Sequence, residues 1–340
     1  MKQHTESCLP ATTPLKPTLP ALFMAAAIAL AGCGGGEGGG AAPTPPPTAS
    51  NWRTLASLGA PRQESGVALL NGEIYFVGGF NAASDIVADV DVYNPGTDTW
   101  RKVASLPRPL HHPNVSAAGG RLYIVGALSG LNFSADGATL QYDPASNTWT
   151  QKASLPAGSE RGAAAVGTLG NLIYVAGGLR SGAAVTDFSV YDTSTDAWTG
   201  LARMTTSRDH LVGAVVGNRF FAIGGRSGSA LRAQVEIFDP AAGTWSAGQP
   251  MPTPRGGCMG AAVDGRIVIV GGEGNAATAS GVFDQSELYD PTSNTWSTLE
   301  RMRTPRHGSG AAGLNGSLYV PGGATVQGFG AVATSEALKL

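Results

Sequence analysis

Five arginines recur at one place in this chain. Arg62, Arg161, Arg208, Arg255 and Arg306 each stand 16 residues before the first glycine of a glycine pair, and Leu110 holds the sixth such position. A guanidinium is a permanently charged, planar fork of donors that matches a carboxylate or a phosphate. Five of them around one opening would favour an anion; the same groups could equally bridge neighbouring loops. The two residues after each arginine vary more: Gln63-Glu64, His111-His112, Gly162-Ala163, Asp209-His210, Gly256-Gly257 and His307-Gly308. Four of the five histidines lie in these pairs. Glu64, His112, Asp209 and His210 carry groups suited to acid–base work, provided they face a common pocket. No nucleotide loop, zinc motif or nucleophile elbow accompanies them, so no cofactor and no metal is expected.

Elements must exist to bring such positions together. The chain has 340 residues, 49 of them glycine, and only 14% are charged. Many glycines with few charges suit a turn-rich all-β protein better than a helical one. A net charge of -2 gives no basic excess for a nucleic-acid partner. Cys258 is the only cysteine beyond residue 33, so the body of the chain cannot form an internal disulfide and must hold by packing and strand pairing. Its apolar surroundings read as a small buried hydrophobe.

Internal repetition is the dominant signal. Glycine pairs close an apolar strand at Gly78-Gly79, Gly177-Gly178, Gly224-Gly225, Gly271-Gly272 and Gly322-Gly323, with a degenerate copy at Gly126-Ala127. Their spacings are 48, 51, 47, 47 and 51 residues. All six tryptophans keep the same rhythm: Trp52, Trp100, Trp149, Trp198, Trp245 and Trp296. Each unit holds four strand-like pieces. In the fourth, residues 211–217 are small and apolar, 220–223 run into Gly224-Gly225, 234–238 alternate, and Thr244-Trp245 opens the last piece after the turn Asp239-Pro240-Ala241-Ala242-Gly243. Small residues suit a crowded axis, and a large indole suits the space between wedge-shaped blades.

Glycine pairs, an aromatic at Tyr75, Tyr123, Tyr174, Phe221 and Tyr319, the turns Tyr142-Asp143-Pro144 and Tyr289-Asp290-Pro291, and the tryptophans together resemble the Kelch repeat. One such repeat forms one four-stranded propeller blade. The resemblance covers residues 51–340 and implies a six-bladed β-propeller. The domain begins on a fourth strand, Asn51-Trp52-Arg53, and ends on a third, residues 335–340, so the last blade should close with three C-terminal strands and one N-terminal strand. In blade two, Leu110 and Ala127 replace the arginine and the second glycine, which suggests a gap in the ring. The longest variable loops are 273–284 and 128–137, and Arg180, Arg226 and Arg232 lie in loops of this kind.

Residues 1–32 read as a signal peptide: an apolar run, 21–32, that ends in Leu30-Ala31-Gly32-Cys33. These four residues resemble a lipobox, which implies acylation of Cys33 and anchoring to a lipid bilayer. Residues 33–50, rich in glycine and then proline, read as a tether. The absence of aspartate after Cys33 implies sorting to the outer membrane in a diderm host.

The fold is shared by binding proteins and enzymes. The first reading is an envelope-anchored, non-enzymatic binding module for an anionic sugar, a glycan or a partner protein. The alternative is a sugar mutarotase resembling the six-bladed sialic-acid mutarotase. Kelch oxidases need copper with histidine and tyrosine ligands and a cysteine–tyrosine cross-link, and no matching set is present.

Overall fold

A computed structural model describes residues 50–340; Cys33, the apolar run and the tether lie outside the described residues. The described residues are all-β, with six four-stranded antiparallel sheets. Blade one is built from Gly66–Leu70, Glu73–Val77, Val90–Asn94 and Thr99–Lys102. Blade four, with the same order, is Val212–Val216, Arg219–Ile223, Val235–Asp239 and Thr244–Ala247. The second strands are apolar on both faces (Ile74, Tyr75, Phe76 and Val77 are all buried) because each sheet is sandwiched between two others.

Blade six joins the two ends of the domain. Ala312–Leu314, Ser317–Pro321 and Ser335–Lys339 are completed by Trp52–Thr54, with Trp52 opposite Leu338 and Thr54 opposite Glu336. Closure removes two strand edges that would otherwise be free to pair with another chain.

Two repeated devices lock each blade to the next. Every indole donates from Nε1 to a backbone carbonyl 43 to 47 residues earlier in sequence or, for Trp52, across the closure to Glu300 at 2.9 Å. Asp98, Asn147, Asp196 and Asn294 sit in the left-handed region. Each accepts a tyrosine hydroxyl from its own blade and a backbone N–H from the preceding connection. Blade four lacks both partners and has Phe238 and Gly243 instead.

The glycine pairs have a physical cause. Gly78 and Gly79 have φ of 60° and 99°, and a Cβ on Gly79 would stand 2.3 Å from the Gln63 carbonyl oxygen. In blade two Ala127 does not open a gap. The chain instead stays extended as a long hairpin, Arg121–Ser129 against Ser134–Asp143, with a bulge between Asp136 and Thr139.

Candidate ligand site at the propeller mouth

The five arginines start each blade but do not line its mouth. Their guanidinium groups are buried and turned into their own blades. Arg62 pairs with Asp91, Arg208 with Glu236 at 3.0 Å, Arg255 with Glu287 at 2.6 Å, and Arg306 with Glu336. Each acid is on the third strand of the same blade. The remaining donors satisfy carbonyls near the glycine pair, as Arg208 does with Gly224 at 2.8 Å and Gln234 at 2.9 Å. Arg161 lacks an acid: it has the Ser189 hydroxyl at 3.2 Å and the Val175 carbonyl at 2.8 Å, and burial pushes its pKa down to about 10. In blade two the ion pair becomes an apolar pair, Leu110 and Leu140, both buried in one core cluster. The arginines therefore form neither an anion-attracting ring nor a bridge between the loops of neighbouring blades: each ties the strands of its own blade together. The four guanidinium groups buried against their own carboxylates are already neutralised and turn no charge toward the mouth.

The next two positions do face the axis. Glu64, His112, Ala163, His210, Gly257 and Gly308 all have positive φ, from 48° to 66°. Their backbones form a closed circle of six N–H to carbonyl hydrogen bonds, each residue bonded to its counterpart in the preceding blade at 2.5 to 3.1 Å. This circle forms a septum between two cavities. Below it the channel between the innermost strands has a volume of about 390 Å³. Above it a mouth pocket of about 210 Å³ opens between the loops. Glu64, His112 and His210 line both. A left-handed conformation strains a side chain by roughly 1–2 kcal/mol, yet these three carry large ones. Gly308 makes room: a Cβ there would lie 2.5 Å from Glu64 Oε1.

The side chains form one connected network. His112 Nε2 is 3.1 Å from Glu64 Oε2 and 2.9 Å from His210 Nε2. His210 Nδ1 donates to Asp209 Oδ1 at 2.5 Å. His111 Nε2 donates to the Gly130 carbonyl at 3.0 Å, and its Nδ1 faces His112 Nδ1 at 2.6 Å. Arg226 approaches Asp209 Oδ1 at 3.4 Å and His210 Nε2 at 3.3 Å, and it pairs with Glu273. Burial opposes ionisation of Glu64, but the imidazoles of His112, His210 and His307 hold its carboxyl well below the usual range. Burial lowers His210, helped by Arg226 and opposed by Asp209. Burial and the His112 ring push His111 down to about 4, so it is neutral at pH 7.

Four residues singled out in sequence, Glu64, His112, Asp209 and His210, thus come together. Arg226, Glu273, His307 and Phe80 complete the site. Arg226, Glu273 and Phe80 occupy the position directly after a glycine pair, which bridges back to the residue after the arginine. That position is the signal that would have found them. The pocket has two unlike walls. Phe80, Phe133 and Phe329 form an aromatic side, with Phe80 to Phe329 centroids 5.2 Å apart and Phe80 to Phe133 6.1 Å apart. Arg226 and Glu273 form the polar side. Leu131, Val326 and Phe329 are exposed on the loops of the same rim.

Known proteins carry the same repeats. A family model for the KLHDC2/KLHL20/DRC7 Kelch-repeats domain matches residues 47–207, and one for the Kelch motif matches residues 207–252 and 254–303. The chain belongs to the Kelch-repeat family. This Kelch propeller is 33% identical over 304 residues to Kelch-like protein terF of Aspergillus terreus. That match takes in 83% of this chain and 66% of the relative's length, just under two thirds. The solved structure of YjhT superposes with a TM-score of 0.69 at 16% identity, over 83% of this chain and 95% of that one. At such low identity the likeness speaks for the fold alone.

Proposed function

We propose that this Kelch propeller is a binding protein whose mouth pocket takes one small, hydroxyl-rich ligand of the size of a saccharide unit. The observation that carries this is the pairing of an aromatic wall (Phe80, Phe133, Phe329) with a wall and floor of charged and imidazole groups in about 210 Å³. Sugars present an apolar C–H face and a polar edge, and a pocket of unlike walls fits both. The volume is below the ~300–1,000 Å³ of sites for drug-sized molecules. Charge favours a neutral ligand over an anion: Glu64, Asp209 and Glu273 outnumber Arg226, which two of them already hold. The test is a melting-temperature series with neutral and anionic monosaccharides. A ligand at 100 times its Kd adds ~2.7 kcal/mol of stability. A shift with neutral sugars that Phe133→Ala abolishes supports the reading; shifts with anionic sugars alone would count against it.

Mutarotation is a second reading, favoured by the convergence of Glu64, His112 and His210 on the pocket floor. Opening a hemiacetal ring needs one group to take a proton and another to give one. Faster loss of optical rotation from a fresh α-sugar, slowed at least tenfold by Glu64→Gln, would establish it. We further propose that Cys33 is acylated and tethers the propeller to a bilayer at the cell envelope, on the strength of the Leu30-Ala31-Gly32-Cys33 motif and the linker after it. Mass spectrometry of the chain and of Cys33→Ser tests this: equal masses apart from the substitution would refute it.

A further inference from the structure

We infer that Glu64, His112 and His210 form a binding site for one divalent transition-metal ion of the zinc class, seated in the septum between channel and mouth. The argument starts from hydrogen positions forced by the outer partners. A carbonyl only accepts, so His111 Nε2 carries a hydrogen toward Gly130 and its Nδ1 is a lone pair. His112 Nδ1 must then donate to it across 2.6 Å, leaving His112 Nε2 as a lone pair. A carboxylate only accepts, so His210 Nδ1 donates to Asp209 and His210 Nε2 is a lone pair as well. Arg226, which can only donate, contacts that same Nε2.

Three acceptors therefore converge with no hydrogen between them: Glu64 Oε2, His112 Nε2 and His210 Nε2, all within 4.8 Å of one another. Close approach of lone pairs is repulsive unless a cation sits among them. A proton on His112 would relieve this one contact, but a second observation points beyond it. His307 is buried, its Nε2 donates to the Val326 carbonyl at 2.9 Å, and its Nδ1 has no hydrogen-bond partner. That Nδ1 faces two further acceptors, Glu64 Oε1 at 3.7 Å and Glu273 Oε2 at 3.6 Å. One proton on His112 leaves this second gathering of lone pairs unsatisfied. A divalent ion on Glu64 Oε2 would offset the carboxylate charge gathered around that Nδ1, and a water between His307 Nδ1 and Glu64 Oε1 would supply the missing hydrogens.

The donor set fits the ion. Two imidazoles and one carboxylate are a set that zinc uses when it keeps a coordination position open. Tetrahedral bonds of 2.0–2.1 Å place ligand atoms about 3.3 Å apart, so the observed 2.9 and 3.1 Å need a few tenths of an ångström of opening. Asp209 behind His210 is the outer carboxylate that orients a ligating imidazole and raises its basicity. Arg226 would release His210 Nε2 and keep Glu273 and Asp209. The mouth pocket gives the open position room for water or a ligand oxygen. The site stands whether or not the mouth takes a saccharide.

The experiment uses the full chain, stripped with EDTA, desalted and titrated with Co(II) and separately with Zn(II). The expected result is one ion retained per chain, visible d–d absorption from Co(II), and a rise in melting temperature with either metal. Glu64→Gln and His210→Ala should each weaken retention at least tenfold, whereas Asp264→Asn, at an exposed acid on a strand turn, should change nothing. Circular dichroism checks the fold of each variant, and Glu64→Gln, which preserves side-chain size, decides the matter should His210→Ala unfold. No retained ion in the unsubstituted chain, or equal retention in Glu64→Gln, would overturn the site and leave a proton on His112 as the occupant.

Discussion

The buried pair Arg208–Glu236 allows a quantitative test of what the arginines do, because blade two already contains the alternative. Arg208 is fully buried and Glu236 nearly so, 3.0 Å apart. Burial lowers the Arg208 pKa and Glu236 opposes that fall. Replacing Arg208 by leucine leaves Glu236 as a buried charge whose remaining partners are the N–H and hydroxyl of Thr205. Removing one partner of such a pair costs about 3–5 kcal/mol. Glu236→Leu should cost a similar amount by stranding the guanidinium. If the two costs simply added, the double variant would lose about 6–10 kcal/mol. The double variant instead reproduces Leu110 and Leu140 of blade two, so its loss should fall to about 2–4 kcal/mol, mainly from carbonyls such as Gly224 and Gln234 that Arg208 no longer serves. Urea unfolding of the two single variants and the double, read by tryptophan fluorescence, gives the coupling energy directly. A coupling below about 0.5 kcal/mol would refute the reasoning, since contacting ionic partners cannot be independent. A double variant that binds its ligand normally would also place Arg208 outside the site.

Further outcomes follow from the same structure. Ser189→Glu gives Arg161 the acid that Arg208, Arg255 and Arg306 possess, and should raise stability by about 1 kcal/mol in a denaturant series; a fall would show that blade three cannot admit the larger side chain. Cys258 is buried and burial raises its thiol pKa, so a disulfide reagent at pH 8 should label it only at the rate of opening; labelling as fast as in urea would refute this. Burial and the hydrogen bond to Asp196 raise the Tyr191 hydroxyl pKa above the usual tyrosine range, and burial and Asp98 do the same for Tyr93. The folded state thus keeps protons that the unfolded chain loses, so this contribution is complete below pH about 10 and declines above it. Melting temperatures that rise between pH 9.5 and 11 would contradict that sign.

The sequence alone determined the architecture. Six glycine-pair positions and six tryptophans in one register specify the blade count, and the half-blades at the two ends specify the closure, because each repeat can bury its faces only against its neighbours. The buried partners of the arginines were also legible in principle. The residue two before each third-strand aromatic is acidic in blades one, four and five, and it is leucine in blade two, where the arginine is leucine too. What the sequence did not reveal is the direction of those guanidinium groups, since a strand start can face the mouth or the blade and only the acid across the sheet decides it. The site itself belongs to the tertiary structure. Glu64, His112 and His210 are separated by 48 and 98 residues, and nothing local brings them together. Ring closure does so, by stacking six equivalent left-handed positions in one circle of backbone hydrogen bonds around the axis. Which atoms then face one another depends on partners in each histidine's own blade, Gly130 for His111, the neighbouring Asp209 for His210 and Val326 for His307, whose carbonyl and carboxylate oxygens assign each imidazole its proton.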